Sequence, residues 1–362
     1  MALILVHIPA RGGSKGIPGK NLRTVLGISL VGWAVLAARR LRMLTHARAS
    51  LRILVDTDDP RIAEEGLAWG AEVPFLRPPE LARDDTPTAA CVVHALDRLG
   101  QMGWSAEAVV LLQPTSPLRV AEDVRACVEP YLHGTAESVV SIAALEHPLE
   151  LAHRVDAAGI LTPVLSLPGG AIRRQDGTRA FFPSGSVYVI GSALLRATGC
   201  FLQEGATRGV ELPLSRSIDI DEEGDLARAE AQVRGEAMAS GPGPSSPGAL
   251  DGAAQWPVVQ LDALPSGLAH LEELLGGGGS GGLFAMAPAA WGGVAILDGI
   301  AACRRAAGLP VAWPFDPARP ERAAAALAGG AAALVVRDAQ PGGIAGAQRI
   351  LGDWPGRRIV TT

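Results

Sequence analysis

Along the first third of the chain, short apolar runs alternate with longer segments in which apolar residues recur every three or four positions. The runs at 2–8, 51–55 and 109–112 are too short for helices and rich in Ile, Leu and Val, which predicts buried strands. The segments at 30–42, 60–69, 88–99 and 120–132 carry the helical period, and two of them open on helix-start residues, Pro60 and Thr88. Strand and helix in alternation predict a mainly parallel sheet covered by helices on both faces. Such sheets bind ligands beyond the carboxyl ends of their strands, so the residues just after each run are the first place to look for chemistry.

The pattern breaks at 237–256, where Pro, Gly, Ser and Ala dominate and no apolar period survives. That composition predicts an interdomain linker between a domain at 1–236 and a second, smaller α/β region at 257–362. Strands are predicted in the second region at 282–287, 311–313, 334–337 and 358–361, separated by helical stretches. Asp298, Asp316 and Asp338 stand near element ends there, where Asp commonly serves caps and turns, and no chemistry is assigned to the region.

Composition narrows the partners. With 48% hydrophobic and 19% charged residues over 362 positions, the chain can bury substantial cores. A formal net charge of -5 and the lack of a basic run argue against a nucleic-acid surface. The apolar N-terminus lacks a basic leader region and a small-residue cleavage site, and no apolar stretch reaches the roughly 18 residues that span a bilayer. The expectation is a soluble, cytoplasmic protein with no membrane partner. Cys91, Cys127, Cys200 and Cys303 form no CxxC pair, so they read as small buried hydrophobes rather than a zinc site or a disulfide framework.

The strongest chemical signal follows the first run. Lys15 and Lys20 are the only lysines in the chain, every other basic side chain being arginine, and both lie in the glycine-rich stretch IPARGGSKGIPGKN at 8–21. Where arginine is the default cation, two ammonium groups in one loop suggest a specific use against chance survival of two solvent lysines. A compact charge on a flexible stem suits phosphate oxygens. The loop satisfies neither common phosphate motif. A Walker A sequence would need Gly at Ser14 and Ser or Thr at Asn21, and a dinucleotide fingerprint would need Gly at Arg11. Backbone N–H groups freed by Gly12 and Gly13, with Arg11, Ser14 and Lys15, can nevertheless surround a triphosphate.

Two acidic clusters could hold a cation. In the sequence Ile218-Asp219-Ile220-Asp221, alternation along a strand would place both carboxylates on one side, as a divalent ion or merely a solvated acidic face would require. Asp56, Asp58 and Asp59 contain a DxD spacing that glycosyltransferases use for a metal, although Asp59-Pro60 also reads as a helix start.

The glycine-rich loop resembles the opening signature of the acylneuraminate cytidylyltransferase family, the enzymes that make CMP-activated nonulosonic acids such as CMP-sialic acid. Six further blocks match in the same order: VDTDDPRIAEEG from Val55, RPPELARDDTPT from Arg77, LLQPTSPLR from Leu111, RRQDG from Arg173, FPSGSVYVI from Phe182 and SIDIDEEGDL from Ser217. The resemblance covers residues 2 to about 236 and says nothing of the rest. It implies an α/β, Rossmann-like nucleotidyltransferase fold, a homodimer in which one subunit caps its neighbour's site, and transfer of CMP from CTP to a nonulosonic acid with release of pyrophosphate.

By the same resemblance Arg11 and Lys15 hold the CTP phosphates beside Gly12, Gly13, Ser14 and Asn21, with Lys20 in a lesser role. Arg77, Thr88 and Gln113 contact the cytidine, although alone Thr88 would read as a helix cap and Arg77 as a surface residue. Asp219 and Asp221 bind Mg²⁺, while Gln113, Arg174 and Tyr188 meet the sugar acid, with Arg173 as a possible assistant. Arg11, Lys15, Asp219 and Asp221 form the implied catalytic set. The chain departs from the family where Phe182, Pro183, Ser184 and Gly185 replace a common Arg-Pro-Asn-Gly, and where Glu150 replaces a frequent Lys. These departures keep two alternatives open: an eight-carbon keto sugar acid as acceptor, or a catalytically weak nucleotide-binding regulatory protein.

Overall fold

The computed structural model of the chain describes residues 2–45, 49–165, 173 and 177–239. In the C-terminal region it describes five strands and positions 300, 322–323, 326–327, 331 and 347–348. The N-terminal part runs β1 (Ala2–Pro9), a short hairpin of β2 (Thr24–Val25) and β3 (Ile28–Ser29), α1 (Leu30–Thr45), β4 (Ala49–Asp56), α2 (Pro60–Ala68), α3 (Thr88–Gln101), β5 (Ala108–Leu111) and α4 (Ala121–Leu132). It continues with β6 (Ser138–Ala144), a hairpin of β7 (His153–Val155) and β8 (Leu161–Pro163), β9 (Phe181–Gly191), α5 (Ser192–Thr198), β10 (Arg208–Glu211) and α6 (Glu223–Ala239).

Six strands form one sheet in the order β10-β6-β9-β5-β1-β4, parallel throughout except for β9, which runs antiparallel to both neighbours. The predicted mainly parallel sheet is therefore present, and its strands are apolar on both faces for a visible reason. On one side Ile4, Val6 and Ile8 pack with Leu30, Ala34 and Val35 of α1 and Val124 and Val128 of α4. On the other, Leu5, Leu54 and Val109 pack with Val92, Leu96 and Leu99 of α3 and Leu195 of α5. A helix layer on each face leaves a central strand no solvated side.

Apolar runs predict only β1, β4 and β5 of this sheet. In β6 and β9 serines interrupt the runs, and two of them are buried as a pair: Ser184 Oγ lies 2.7 Å from Ser141 Oγ, which also accepts the Val187 N–H at 2.9 Å. Gly185, at φ 76°, sits where the β6–β9 register shifts between Val140 and Ile142. Its backbone conformation suits only glycine, and a β-carbon there would also come within 3.2 Å of Gln113 Oε1.

In the C-terminal region β11 (Val258–Gln260), β12 (Leu283–Met286), β13 (Val311–Pro314), β14 (Ala333–Val336) and β15 (Arg358–Thr361) form a second, wholly parallel sheet in chain order. Four of these strands fall on the four predicted runs, and β11 is additional. Helix α6 continues through Ala239, three residues into the predicted linker, as good helix formers allow. Residues 240–257 lie outside the described residues. Cys91 and Cys127 are buried as expected, whereas Cys200 is exposed in the turn after α5, and Cys303 lies outside the described residues. Among the described residues no helix is long and apolar enough to cross a membrane.

Candidate active site

A cleft of about 270 Å³ opens beyond the carboxyl ends of β1 and β5. Arg11, Gly13, Ser14, Lys20 and Asn21 line it together with Arg77, Asp84, Thr88, Gln113 and Thr115. The glycine-rich loop on its floor is fixed from three directions. Asn21, mostly buried, donates from Nδ2 to the Arg11 carbonyl at 2.9 Å, and the Gly12 N–H donates to Asp58 Oδ1 at 2.9 Å. Lys20 Nζ donates to the Ile220 carbonyl at 2.8 Å and to Asp221 Oδ1 at 3.0 Å. Gly16 makes that approach possible, because a β-carbon on it would lie 2.7 Å from the Asp221 carbonyl oxygen.

The Ile-Asp-Ile-Asp segment is an extended connection between β10 and α6, not the strand that its alternation predicts. The alternation still sorts its side chains, with Ile220 buried and both carboxylates turned outward. The segment is tied to the loop after β5 by the Ile220 N–H, which donates to the Thr115 carbonyl at 2.8 Å. Since the backbone groups of 220 bond across to Thr115 and Lys20 rather than to a sheet neighbour, no strand forms. Asp219 reaches solvent but is closely surrounded by protein. That burial raises its pKa above the ordinary carboxylate value against an opposing hydrogen bond from Thr115, and the like charge of Asp221 adds to the rise. Among the described residues no group of three or more His, Cys, Asp or Glu side chains is arranged to hold a metal ion. Asp219 and Asp221 are a pair.

Each aspartate of the DxD cluster has another partner. Asp56 is fully buried against His7 and Arg77, and Asp58 receives the Gly12 N–H. Asp59 caps α2, accepting the Arg61 N–H at 2.9 Å, with Pro60 in the first helical turn. The helix-start reading of Asp59-Pro60 is the one observed. Arg77 is not a surface residue either, being 5% exposed, and Thr88 opens α3 without capping it, the cap position being Pro87.

The free cations meet a carboxylate. Asp84 lies 2.5 Å from Arg11 Nη1 and 2.6 Å from Lys15 Nζ, and Lys15 holds its pKa below the usual range, with Arg11 assisting against slight burial. Lys15 itself is 84% exposed, whereas Lys20 is only 14% exposed. An anion arriving in the cleft must compete with Asp84 for both cations. Asp84→Asn is therefore expected to tighten CTP binding about threefold to tenfold, the modest worth of two exposed ion pairs. Isothermal titration would measure it; unchanged or weaker binding would show that Asp84 does not compete.

On the far side, Arg119 is a residue that sequence reasoning left without a role. Completely buried, it donates from Nε to the Ser116 carbonyl at 3.0 Å, from Nη1 to the Ser186 carbonyl at 2.9 Å, and from Nη2 to the Gln113 carbonyl. Burial brings its pKa down to about 9 against the charges of Asp219 and Asp123. It fixes the turn that carries Gln113 and Thr115. Its place at the end of the quoted LLQPTSPLR block was the one available signal.

The acceptor-side residues are less gathered. Tyr188 is half-buried on β9, its ring 5.6 Å from that of Phe201, and its hydroxyl pKa is raised by burial and then by the Asp219 charge. Arg173 is exposed, and Arg174 lies outside the described residues. Ser184 is turned into the sheet toward Ser141, and Phe182 lines a separate apolar groove of about 620 Å³ with His147, Leu149 and Leu214. Glu150 accepts the Thr178 N–H at 3.1 Å.

The chain is similar in sequence to known cytidylyltransferases. A family model described as cytidylyltransferase matches residues 5–172. Over 228 residues the chain is 32% identical to a CMP-N,N'-diacetyllegionaminic acid synthase of Legionella pneumophila, which covers 63% of this chain and 94% of that protein. It is 27% identical over 222 residues to a pseudaminic acid cytidylyltransferase of Campylobacter jejuni, covering 61% of this chain and 92% of that one. With N-acylneuraminate cytidylyltransferase A of Danio rerio it shares 30% identity over 233 residues, 64% of this chain and 50% of the fish protein. The cytidylyltransferase match, with 32% identity to the Legionella pneumophila protein over 94% of its length, identifies the N-terminal part as a member of the acylneuraminate cytidylyltransferase family.

Proposed function

We propose that residues 1–236 transfer CMP from CTP to the anomeric hydroxyl of a nonulosonic, sialic-acid-like 2-keto sugar acid, releasing pyrophosphate. One observation carries the reading: Lys20, which lines the cleft, hydrogen-bonds the Ile220 carbonyl and Asp221 and so ties the phosphate-type loop to the Asp219–Asp221 segment. In this reading Arg11 and Lys15 exchange Asp84 for the triphosphate, with Gly12, Gly13, Ser14 and Asn21 forming the loop around it. Arg77, Thr88 and Gln113 hold the cytidine, and Gln113, Arg174 and Tyr188 hold the sugar acid. Phosphoryl transfer of this kind depends on positioning and charge neutralisation.

Asp219 and Asp221 fit a divalent cation such as Mg²⁺. Burial and the neighbouring carboxylate both disfavour the charge on Asp219, and a cation would relieve both. Two carboxylates suit an ion that takes its remaining ligands from water and phosphate. When bound, the ion would neutralise charge on the triphosphate. Lys20 keeps Asp221 in place by its hydrogen bond.

The reading extends to assembly and organisation. The β7–β8 hairpin exposes all of its strand residues, with Val155 64% and Leu161 61% exposed, and this apolar arm suits a second copy of the chain in a homodimer. Light scattering tests it, and a monomer at micromolar concentration would contradict it. We assign 257–362 to a separate α/β module of unassigned function, and propose a cytoplasmic protein without nucleic-acid or membrane partners.

Mass spectrometry of the products formed from CTP, Mg²⁺ and a panel of nine-carbon and eight-carbon keto sugar acids tests the function. A CMP-linked nine-carbon acid supports it. A CMP adduct of the eight-carbon acid alone would move the acceptor, and CTP binding without any adduct would leave a regulatory protein.

A further inference from the structure

Beneath the cleft lies a buried trio, His7, Asp56 and Arg77, of which only Arg77 has a role in the proposed reaction. In the parallel β1–β4 register Pro9 stands opposite Asp56, so His7 and Asp56 are diagonal neighbours on one face of the sheet. His7 Nε2 lies 3.0 Å from Asp56 Oδ2, and both side chains are fully buried. Arg77 enters from the segment after α2. Its Nε donates to the same carboxylate oxygen at 3.1 Å, and its Nη2 donates to the Asp56 backbone carbonyl at 2.7 Å. That carbonyl also accepts the Ala10 N–H at 2.9 Å, directly before Arg11. One residue thus holds both the guanidinium at the cleft wall and the root of the glycine-rich loop.

The trio is a poor device for stability. His7 Nδ1 and Asp56 Oδ1 are buried without a hydrogen-bond partner, and a partly satisfied buried polar network is less favourable than an apolar one of the same shape. What it does well is orientation. With Nε and Nη2 both engaged by Asp56, the guanidinium plane is fixed, and Nη1 remains to meet a ligand in the cleft that Arg77 lines. Burial opposes the charge on Asp56, but the hydrogen bond from His7 and the charges of His7 and Arg77 keep the carboxyl below its usual pKa, so the counter-charge to Arg77 persists.

We infer that Asp56, buttressed by His7, is a positioning residue that presents Arg77 to the bound nucleotide; the inference rests on Arg77 being a nucleotide contact. Asn at 56 keeps the shape and removes the counter-charge, which weakens the hold on Nε while the Nη2 bond to the backbone carbonyl stays.

A double-variant cycle on the full chain, with CTP affinity read by titration and kcat by pyrophosphate release, tests it. Arg77→Ala and Asp56→Asn are each expected to weaken CTP binding about tenfold, the scale of one charge-assisted hydrogen bond. The double variant is expected to bind no more weakly than Arg77→Ala alone, and Asp56→Asn to keep kcat at saturating CTP within about threefold. If Asp56→Asn does not fold, His7→Asn enters the same cycle with an expected loss of about threefold, also absent in the Arg77→Ala background. Should Arg77→Ala leave CTP affinity unchanged, both the nucleotide role of Arg77 and this inference fall. Should Arg77→Ala weaken binding while the position-56 or position-7 change has no effect, or adds in full to it, the inference alone falls.

Discussion

Asp219→Asn is expected to abolish pyrophosphate release, by about a thousandfold or more in kcat, while leaving the free protein at least as stable at pH 7 as the wild type. The two effects have one cause. Asp219 has a raised pKa, chiefly from burial, opposed by the Thr115 hydrogen bond and reinforced by Asp221. A carboxyl whose folded pKa lies above its unfolded value contributes stability below the unfolded pKa, and that contribution is lost as pH rises through the folded pKa. At neutral pH the charge on Asp219 is therefore held against the preference of the fold, and a neutral amide removes that disadvantage together with the negative donor. Calorimetry and the pyrophosphate assay on the same sample check the pair. A lower melting temperature with activity retained would make Asp219 a structural residue.

The second large effect separates the two lysines. Lys20→Ala is expected to lower kcat about a hundredfold, because it removes the hydrogen bonds that fix Ile220 and Asp221 against the loop. Lys15→Ala is expected instead to raise KM for CTP about tenfold, since Lys15 is an exposed cation whose partner among the described residues is Asp84. Motif resemblance ranks them the other way, with Lys15 as the essential group. Initial rates across a CTP series distinguish the two cases. Equal, small effects from both substitutions would return the lysines to coincidence.

Much of this arrangement was legible in the chain because it is local. The runs that form β1, β4 and β5 are apolar on both faces, and the loop after the first run carries its glycines and lysines in plain view. What escaped depends on contacts between distant positions. Serines made β6 and β9 look irregular until Ser141 met Ser184, 43 positions away. The Ile-Asp-Ile-Asp alternation implied a strand, but a strand needs a neighbour, and its backbone partners are Thr115 and Lys20. Asp56 looked like part of a metal motif because its partners, His7 and Arg77, lie 49 and 21 positions away. The pairing of Lys20 with Asp221 spans 201 positions, which no local pattern can reveal.

One cleft, in the proposed function, joins CTP to a nonulosonic acid. Pyrophosphate release by the purified full chain with Mg²⁺, CTP and a nine-carbon keto sugar acid, each omitted in turn, tests it most directly. Release only when all three are present is the expected result. Release from CTP without the acid, or none with any acid of the panel, would contradict it.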